Sequence, residues 1–207
     1  MESAKNVSIV VLSLCVICVM FLSSIGHAAS PVTATESIKE TIDQVLAVLR
    51  NEELKGADKK DERLTQLTEI IGQRFDYEEM GKRTLSREWK NLTPEQQEEF
   101  VGLFQRFLTK SYAGNVDSYS GETIEYIKER NKGDFAEVQT KVVSLKSQVP
   151  LDYRLLKKNE EWRIYDVVID GVSLMKNYRG QFDRILKTSS FEGLLTKLRA
   201  KADQAQP

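Results

Sequence analysis

The residue types most used for covalent and metal chemistry are confined to the first 28 positions of this sequence. Cys15 and Cys18 have the C-x-x-C spacing of redox and zinc sites, and the single histidine is His27. A short start containing Lys5 precedes an apolar run over residues 7–25, which holds both cysteines. Whether the three residues can do chemistry therefore depends on what this segment is.

The order of charged, apolar and small residues at the N-terminus is typical of a secretory signal peptide. Gly26 and Ala28 provide the small residues at positions −3 and −1 of a cleavage site, which predicts a signal peptide over residues 1–28. The apolar run of 19 residues is also long enough to span a bilayer as a helix, so an uncleaved anchor is the alternative. In either case the C-x-x-C pair is not a redox motif, because it leaves with the signal or lies in lipid.

The predicted mature chain contains neither cysteine nor histidine. This composition excludes Cys- or His-ligated zinc, Ser-His and Cys-His nucleophiles, and a structural disulfide. We therefore expect no catalytic residues, no metal site and no cofactor, and a domain held together by core packing. The mature chain keeps the net charge of −1, since the signal contains one acid and one base. Mixed charges of this kind argue against nucleic-acid binding and against broad attraction to anionic membranes.

Carboxylates are the remaining groups that could do acid–base chemistry. Such catalysis needs two acids in one desolvated cleft with separated pKa values. Asp166 and Asp170 are close in sequence, and Asp166 has apolar neighbours on both sides. Two interpretations follow for Asp166: a buried hydrogen-bonding residue, or the base of an enzyme with an apolar pocket.

The segment on the N-terminal side of these carboxylates has the apolar spacing of helices. Residues 29–35 are small and polar and predict a flexible lead-in. Apolar residues then recur at the spacing of one helix face up to Leu49, and further helices are predicted over 64–75 and 77–89. Thr93, Pro94 and Gln96 form the start signal of a helix that carries Phe100, Phe104 and Phe107 on one face.

A different pattern follows. Segments rich in Val, Ile, Tyr and Phe predict four consecutive antiparallel strands over 122–130, 135–146, 148–157 and 161–169. Residues 165–169 do not alternate between apolar and polar, so this strand is expected to meet apolar groups on both faces. Gly171 ends the sheet, helices resume, and Ser189 with Glu192 predicts a capping box for the last helix. Residues 201–207 are predicted to be a disordered tail.

This order of elements predicts an α+β fold. We expect one curved, four-stranded antiparallel sheet with N- and C-terminal helices packed on its concave side.

The junction between the last strand and the next helix has a distinctive sequence. Residues 165–174 are YDVVIDGVSL, followed by NYR at 177–179 and QF at 181–182. Residues 75–77 (FDY), 92–96 (LTPEQ), 112–114 (YAG) and 191–195 (FEGLL) agree with the same pattern, although Ser190-Phe191 replaces a usual glycine and apolar residue. Over residues 36–200 the chain resembles the MlaC, or toluene-tolerance, family of periplasmic phospholipid-binding proteins.

The resemblance implies a cone-like fold similar to nuclear transport factor, in which residues 36–200 form a phospholipid-binding domain. It implies a periplasmic carrier with acyl chains between sheet and helices and no enzymatic activity. It also implies two partners besides the phospholipid: an inner-membrane ABC transporter with MCE domains, and an outer-membrane lipoprotein–porin complex. No role in headgroup binding is assigned to Arg179.

The cavity itself is predicted from apolar faces that converge near the last strand. Ten residues are proposed to line it: Phe100, Phe104, Phe107, Leu151, Tyr153, Ile164, Val168, Val172, Met175 and Tyr178. The same residues could instead form an ordinary core. A cone-fold enzyme that uses Asp166 and a membrane-anchored adaptor with a solid core therefore stay open as alternatives. Val168→Glu is expected to separate cavity from core, since a charge in a cavity can stay hydrated.

Overall fold

Four helices precede the sheet in the computed structural model, which describes residues 32–113 and 119–203. They are α1 (Ala34–Arg50), α2 (Lys60–Arg74), α3 (Tyr77–Leu85) and α4 (Pro94–Ala113), with 3-10 turns at Glu52–Leu54, Ala57–Lys59 and Glu88–Asn91. Two more helices, α5 (Leu174–Thr188) and α6 (Phe191–Asp203), follow the sheet. The predicted signal peptide, residues 1–28, lies outside the described residues.

Side-chain caps set the helix starts. The Thr33 hydroxyl accepts a hydrogen bond from the Glu36 amide at 3.1 Å, and a Glu36 carboxylate oxygen accepts one from the Thr33 amide at 2.7 Å. This capping box starts α1 at Ala34, inside the segment 29–35 that was predicted to be flexible. At α4 the predicted cap is confirmed, because Thr93 and Gln96 exchange hydrogen bonds of 3.0 and 3.3 Å.

The predicted end of the chain needs two corrections. Ser190, not Ser189, caps α6, since its hydroxyl accepts from the Gly193 amide at 3.2 Å. Ser189 instead terminates α5. Helix α6 also continues to Asp203, three residues into the predicted tail, where Asp203 forms an ion pair with Arg106.

The antiparallel sheet has five strands in the order in which they occur in the chain. They are β1 (Thr123–Lys132), β2 (Phe135–Val143), β3 (Gln148–Lys158), β4 (Glu161–Ile169) and β5 (Val172–Ser173). The α+β prediction is confirmed, with a two-residue fifth strand that the sequence pattern did not reveal. Asp170 and Gly171, with φ of +48° and +77°, form the two-residue turn between β4 and β5, a conformation that favours glycine.

A bulge in β4 explains why residues 165–169 do not alternate. Arg154 pairs with Asp166 and Leu155 with Ile164, so Tyr165 has no partner on β3. The extra residue shifts the side-chain alternation by one position. Asp166, Val167 and Val168 are all buried, which agrees with the expectation of a strand covered on both faces.

Most of the buried apolar residues in the described part of the chain belong to three clusters. The helical cluster combines residues of α3, α4, α5, α6 and the connection between α3 and α4: Tyr77, Met80, Leu85, Trp89, Leu92, Phe100, Leu103, Phe104, Leu108, Met175, Phe182, Leu194, Leu195 and Leu198. The sheet cluster joins α1 to the strands: Ala34, Ile38, Ala136, Val138, Leu155, Trp162, Ile164 and Val167. The small N-terminal cluster contains Val48, Leu54 and Leu67. Phe75 and Leu174 contact both the helical and the sheet clusters.

The helices contact different strands of the sheet. Helix α1 packs against β1 and β2, whereas α2, α3 and α5 pack against β4. The junction between α2 and α3 lies along β4, because the Asp76 amide donates to the Ile164 carbonyl at 2.8 Å. The sheet is therefore covered by α1 at one side and by a helical group beside β4 at the other.

Candidate functional site

One face of the sheet changes from packed to open along its length. We call the face that carries Val138, Tyr153 and Ile164 the inner face. At one end of it, Val138, Leu155 and Ile164 are buried and pack with Ile38 of α1. Towards the other end, Tyr126, Leu151 and Tyr153 are only half-buried, although they pack against the same cluster.

Helix α1 continues over this more open end. Ile42 is half-buried and contacts the sheet cluster. An apolar groove therefore runs between α1 and the strands, and we call it the sheet groove. It is lined by Ile42, Tyr126, Leu151 and Tyr153. Val45 and Leu49, farther along α1, are also half-buried and lead from the groove to the N-terminal cluster.

Tyr153 lies at the more open end of the inner face. Burial raises the pKa of its phenol above the ordinary value, and the proximity of Tyr126 raises it further. A side chain enclosed in this way would have no accessible surface in a close-packed core. Tyr153 nevertheless keeps part of its surface accessible. Tyr153 is therefore less completely covered than Leu155 and Ile164 on the same face.

The Tyr126 hydroxyl is a polar group within the apolar sheet groove. Its hydroxyl oxygen is buried and has no hydrogen-bond partner among residues 32–113 and 119–203. Burial, and then the negative charge of Asp43, raises the pKa of Tyr126 to about 12. Buried hydroxyls almost always have a hydrogen-bond partner, so the Tyr126 hydroxyl is an exception within the described residues.

Among the ten residues predicted to line a cavity, Leu151 and Tyr153 lie in the sheet groove. Ile164 is on the same face but belongs to its packed end, where its exposed fraction is 1%. Five others belong to or pack against the helical cluster: Phe100, Phe104, Phe107, Met175 and Tyr178. The structure therefore divides eight of the ten predicted residues between two regions.

The helical cluster is a solid core around Phe104. Its ring centroid lies 5.5 Å from that of Phe100, 5.8 Å from that of Tyr178 and 5.9 Å from that of Phe182. Phe100 and Phe104 are completely buried. Stacked and edge-on rings at these distances fill space efficiently, so Phe100, Phe104 and Met175 are packing residues in this structure.

Phe107 lies at the margin of this core. It borders an apolar cleft of about 340 Å³ between α4, α5 and α6, whose other walls include Phe182, Ile185 and Leu198. This cleft is separate from the sheet groove, since its lining includes no strand residue.

Val168 and Val172 lie in neither region. Tyr153 pairs with Val167 and Asp152 with Val168, so Val168 points to the face opposite the sheet groove. Val172, on β5, has an exposed fraction of 54%. Val168 is separated from Leu151 and Tyr153 because the bulge at Tyr165 exchanges the two faces of β4. Val172 pairs with Ile169, which pairs with Leu151, so it lies on the groove face but at its exposed edge.

Asp166 is held by three hydrogen bonds on that opposite face. One carboxylate oxygen accepts from Arg154 at 2.9 Å and from the Ser173 hydroxyl at 2.6 Å, and the other accepts from the Met175 amide at 3.1 Å. These bonds attach β3, β4 and the start of α5 to one another. The arrangement matches the buried hydrogen-bonding role that was one of the two interpretations from the sequence.

Sequence reasoning missed Ile42 and Tyr126 as groove residues. A signal existed for Tyr126, which alternates with Ile124 along a half-buried strand. Within the part of the chain that the structure describes, no three His, Cys, Asp or Glu residues are placed to hold a metal ion together. No helix in that part has both the length and the apolar character to cross a bilayer.

Residues 39–200 match the family model described as MlaC protein. The chain belongs to the MlaC family. The match includes α1 from its second turn, the whole sheet and nearly all of α6, so both the sheet groove and the helical cluster are within the MlaC-family segment.

Two curated relatives agree with this assignment to the MlaC family. The Haemophilus influenzae intermembrane phospholipid transport system binding protein MlaC is 27% identical over 130 residues, 60% of this chain and 61% of the relative. The Pseudomonas putida toluene tolerance protein ttg2D is 29% identical over 120 residues, 56% of this chain and 55% of the relative. The matched segments therefore span about three fifths of these relatives.

A solved structure extends the comparison to the MlaC-family fold. The phospholipid-binding protein from Ralstonia solanacearum, determined in complex with a phospholipid, is 29% identical to this chain. The superposition has a TM-score of 0.72 and covers 83% of this chain and 97% of the Ralstonia chain.

Proposed function

We propose that this chain is a periplasmic phospholipid carrier that holds acyl chains in the sheet groove and has no enzymatic activity. The observation that carries the proposal is Tyr153, whose phenol is buried enough to raise its pKa and whose side chain still keeps part of its surface accessible. Membership of the MlaC family supports it, as does the Ralstonia relative with its bound phospholipid.

The energetics of lipid transfer suit an apolar groove. Two acyl chains contain about 30 methylenes, and exposing them to water costs on the order of 24 kcal/mol at about 0.8 kcal/mol each. A groove that resembles the bilayer interior makes the lipid nearly as stable in the protein as in the membrane. The carrier then contributes shape and apolarity, and the direction of transport comes from its partners.

The proposed partners are an inner-membrane ABC transporter with MCE domains and an outer-membrane lipoprotein–porin complex. The residues at 165–182 that resemble the family motif support this assignment, together with the name of the H. influenzae relative. A net charge near zero is compatible with such a shuttle, because strong adhesion to anionic membranes would retain it at one surface.

A charge placed in the sheet groove tests the function. Leu151→Glu should leave the protein folded, since a carboxylate beside an open groove can stay hydrated, but it should repel acyl chains. The matched control is Leu145→Glu, because Leu145 lies in the β2–β3 connection and is fully exposed. The measurement is mass spectrometry of an organic extract of each protein purified from a periplasmic fraction.

We expect phospholipid in the extracts of the wild type and of Leu145→Glu and little in that of Leu151→Glu. A wild-type protein without extractable lipid would support the solid-core adaptor instead. Turnover of any substrate that Asp166→Asn abolished would support the enzyme alternative. The hydrogen bonds of Asp166 argue against that alternative, because all three tie the carboxylate to neighbouring protein groups.

Secretion is tested separately by the intact mass of the protein from the envelope of its native host. The proposed signal peptide predicts a mature N-terminus within a residue or two of Ala29. A full-length species that stays with the membrane would establish the anchor and contradict the freely diffusing carrier.

A further inference from the structure

A second cleft, of about 470 Å³, lies against the outer side of β4, and cations from three elements line it. Lys82 and Arg83 come from α3, Arg154 from β3, and Lys176 and Arg179 from α5. We call this the basic cleft. Asp166 is the single acid among its lining residues in the described part of the chain.

Some of these cations have acidic partners outside the lining. Lys82 pairs with Glu78 at 2.6 Å, Arg83 with Glu79 at 2.8 Å, and Arg179 with Asp183 at a long 3.9 Å. Arg154 is shared between Asp166 and Glu137. Lys176 is exposed and has no ion-pair partner among the described residues.

Arg83 contributes a guanidinium group to the lining of the basic cleft. Its Nε is buried and has no hydrogen-bond partner among residues 32–113 and 119–203. The guanidinium carbon lies 3.8 Å from the centroid of the Tyr165 ring, so the side chain is held in place by stacking. A buried guanidinium N–H without an acceptor is costly, and Arg83 is one of the residues that line the cleft.

The basic cleft is separate from the sheet groove. Arg154 and Asp166 are partners in the β3–β4 register and lie on the face opposite Tyr153. The sheet therefore separates the cleft from any acyl chain in the groove. A ligand bound in the cleft is thus distinct from a lipid whose acyl chains lie in the groove.

We propose that the basic cleft binds an oxyanion of the phosphate class, with Arg83, Lys176 and Arg179 as its principal donors. Phosphate fits better than a carboxylate because it offers three acceptor oxygens and up to two charges to donors that arrive from separate helices. The phosphate could belong to a soluble phosphate ester or to a phospholipid headgroup at a membrane surface. The site does not depend on the proposed carrier function.

NMR titration tests this site on the purified wild-type protein. Millimolar inorganic phosphate and glycerol 3-phosphate should shift the Arg83 Nε–H resonance, whereas acetate at equal concentration should shift it much less. Arg83→Gln should weaken phosphate binding about tenfold, the effect of one charge-assisted hydrogen bond. Lys176→Gln, an exposed change that leaves the fold intact, should weaken it about threefold.

Arg199→Gln is the matched control, because Arg199 also pairs with an acid, Glu99, but lies on α6 outside the cleft. Phosphate affinity should be unchanged in this variant. The proposal is overturned by the absence of a phosphate-dependent shift, by equal affinity for acetate, or by equal weakening in Arg199→Gln.

Vesicles then identify the source of the phosphate. Vesicles of phosphatidylglycerol that bind the protein, release it with inorganic phosphate and fail to bind Arg83→Gln indicate a headgroup ligand. Phosphate binding without vesicle binding indicates a soluble ester. Lipid content of organic extracts is measured in parallel, so failure of the carrier function is distinguishable from failure of this site.

Discussion

The helical cluster and the sheet groove contain similar residue types but differ in how completely they are packed. Phe100 and Phe104 in the helical cluster have no exposed surface, and their rings contact further aromatic rings from α5. Leu151 and Tyr153 in the groove are half-buried and lie at the open end of a sheet face. Apolar composition therefore does not distinguish a closely packed core from a partly open groove in this chain.

The geometry of the elements accounts for the difference. Helices α3 to α6 bring side chains together from several directions, so their apolar stripes can interdigitate around a common centre. The inner face of the sheet is broad, and α1 closes one end of it more completely than the other. Space is left where one helix covers several strands.

Val168→Glu should have the largest effect, and it tests whether the two faces of β4 are assigned correctly. Val168 is 6% exposed on the face opposite the groove, so an unpaired carboxylate there should cost several kcal/mol and unfold much of the protein. Leu151→Glu should stay folded by comparison. Circular dichroism and urea titration measure both. A folded Val168→Glu variant that lacks lipid would place the cavity on the face of Val168.

Phe104→Ala should be the next most severe change. Truncation of a completely buried phenylalanine leaves a cavity among rings that cannot collapse, and typically costs about 3–5 kcal/mol. Leu151→Ala in the groove should cost only about 1 kcal/mol in the lipid-free protein, because Leu151 already borders open space. Equal losses in urea unfolding of the two variants would show that the groove is as tightly packed as the helical cluster.

Asp166→Asn should destabilise the protein by about 2 kcal/mol, since it weakens charge-assisted hydrogen bonds to Arg154, Ser173 and the start of α5. Asp170→Asn is the matched control, because Asp170 is exposed in the β4–β5 turn. Thermal unfolding measures both variants. If Asp166→Asn were as stable as the wild type, the hydrogen bonds of Asp166 would contribute little to holding the sheet and the helices together.

Tyr126 should give the smallest effect, and it appears at high pH. Its folded pKa of about 12 exceeds the ordinary value near 10. Between these pH values the unfolded chain loses the proton while the folded protein keeps it, so stability decreases as the pH rises through this window. Tyr126→Phe should make this decrease smaller. Near neutral pH it should raise stability by up to about 1 kcal/mol, because a buried hydroxyl without a partner is removed.

The Tyr126 prediction is measured by urea unfolding at about pH 9 and about pH 11. Tyr119→Phe serves as a control, since the Tyr119 hydroxyl accepts a hydrogen bond from exposed Arg50. An unchanged pH dependence in Tyr126→Phe would show that this phenol is solvated in the folded protein.

Local sequence patterns were sufficient where neighbouring residues decide the structure. The start of α4 depends on its cap at Thr93. The turn after β4 depends on Gly171, and the strand order depends on short-range alternation. The predicted cap of α6 was wrong by one position. Ser189 and Ser190 both have suitable side chains, and Ser190 forms the cap in the structure.

The sequence by itself determined the class of elements, their order, and the family motif at residues 165–182. It also limited the chemistry, because residues 29–207 contain no cysteine or histidine. Only the tertiary structure decided which apolar residues border open space. The bulge at Tyr165 sets the faces of Val167 and Val168, and it exists only through pairing with β3. Likewise, Phe104 and Tyr153 are both aromatic residues in segments with apolar periodicity. They differ because interlocking rings from α5 enclose Phe104, whereas α1 leaves the end of the sheet beside Tyr153 partly uncovered.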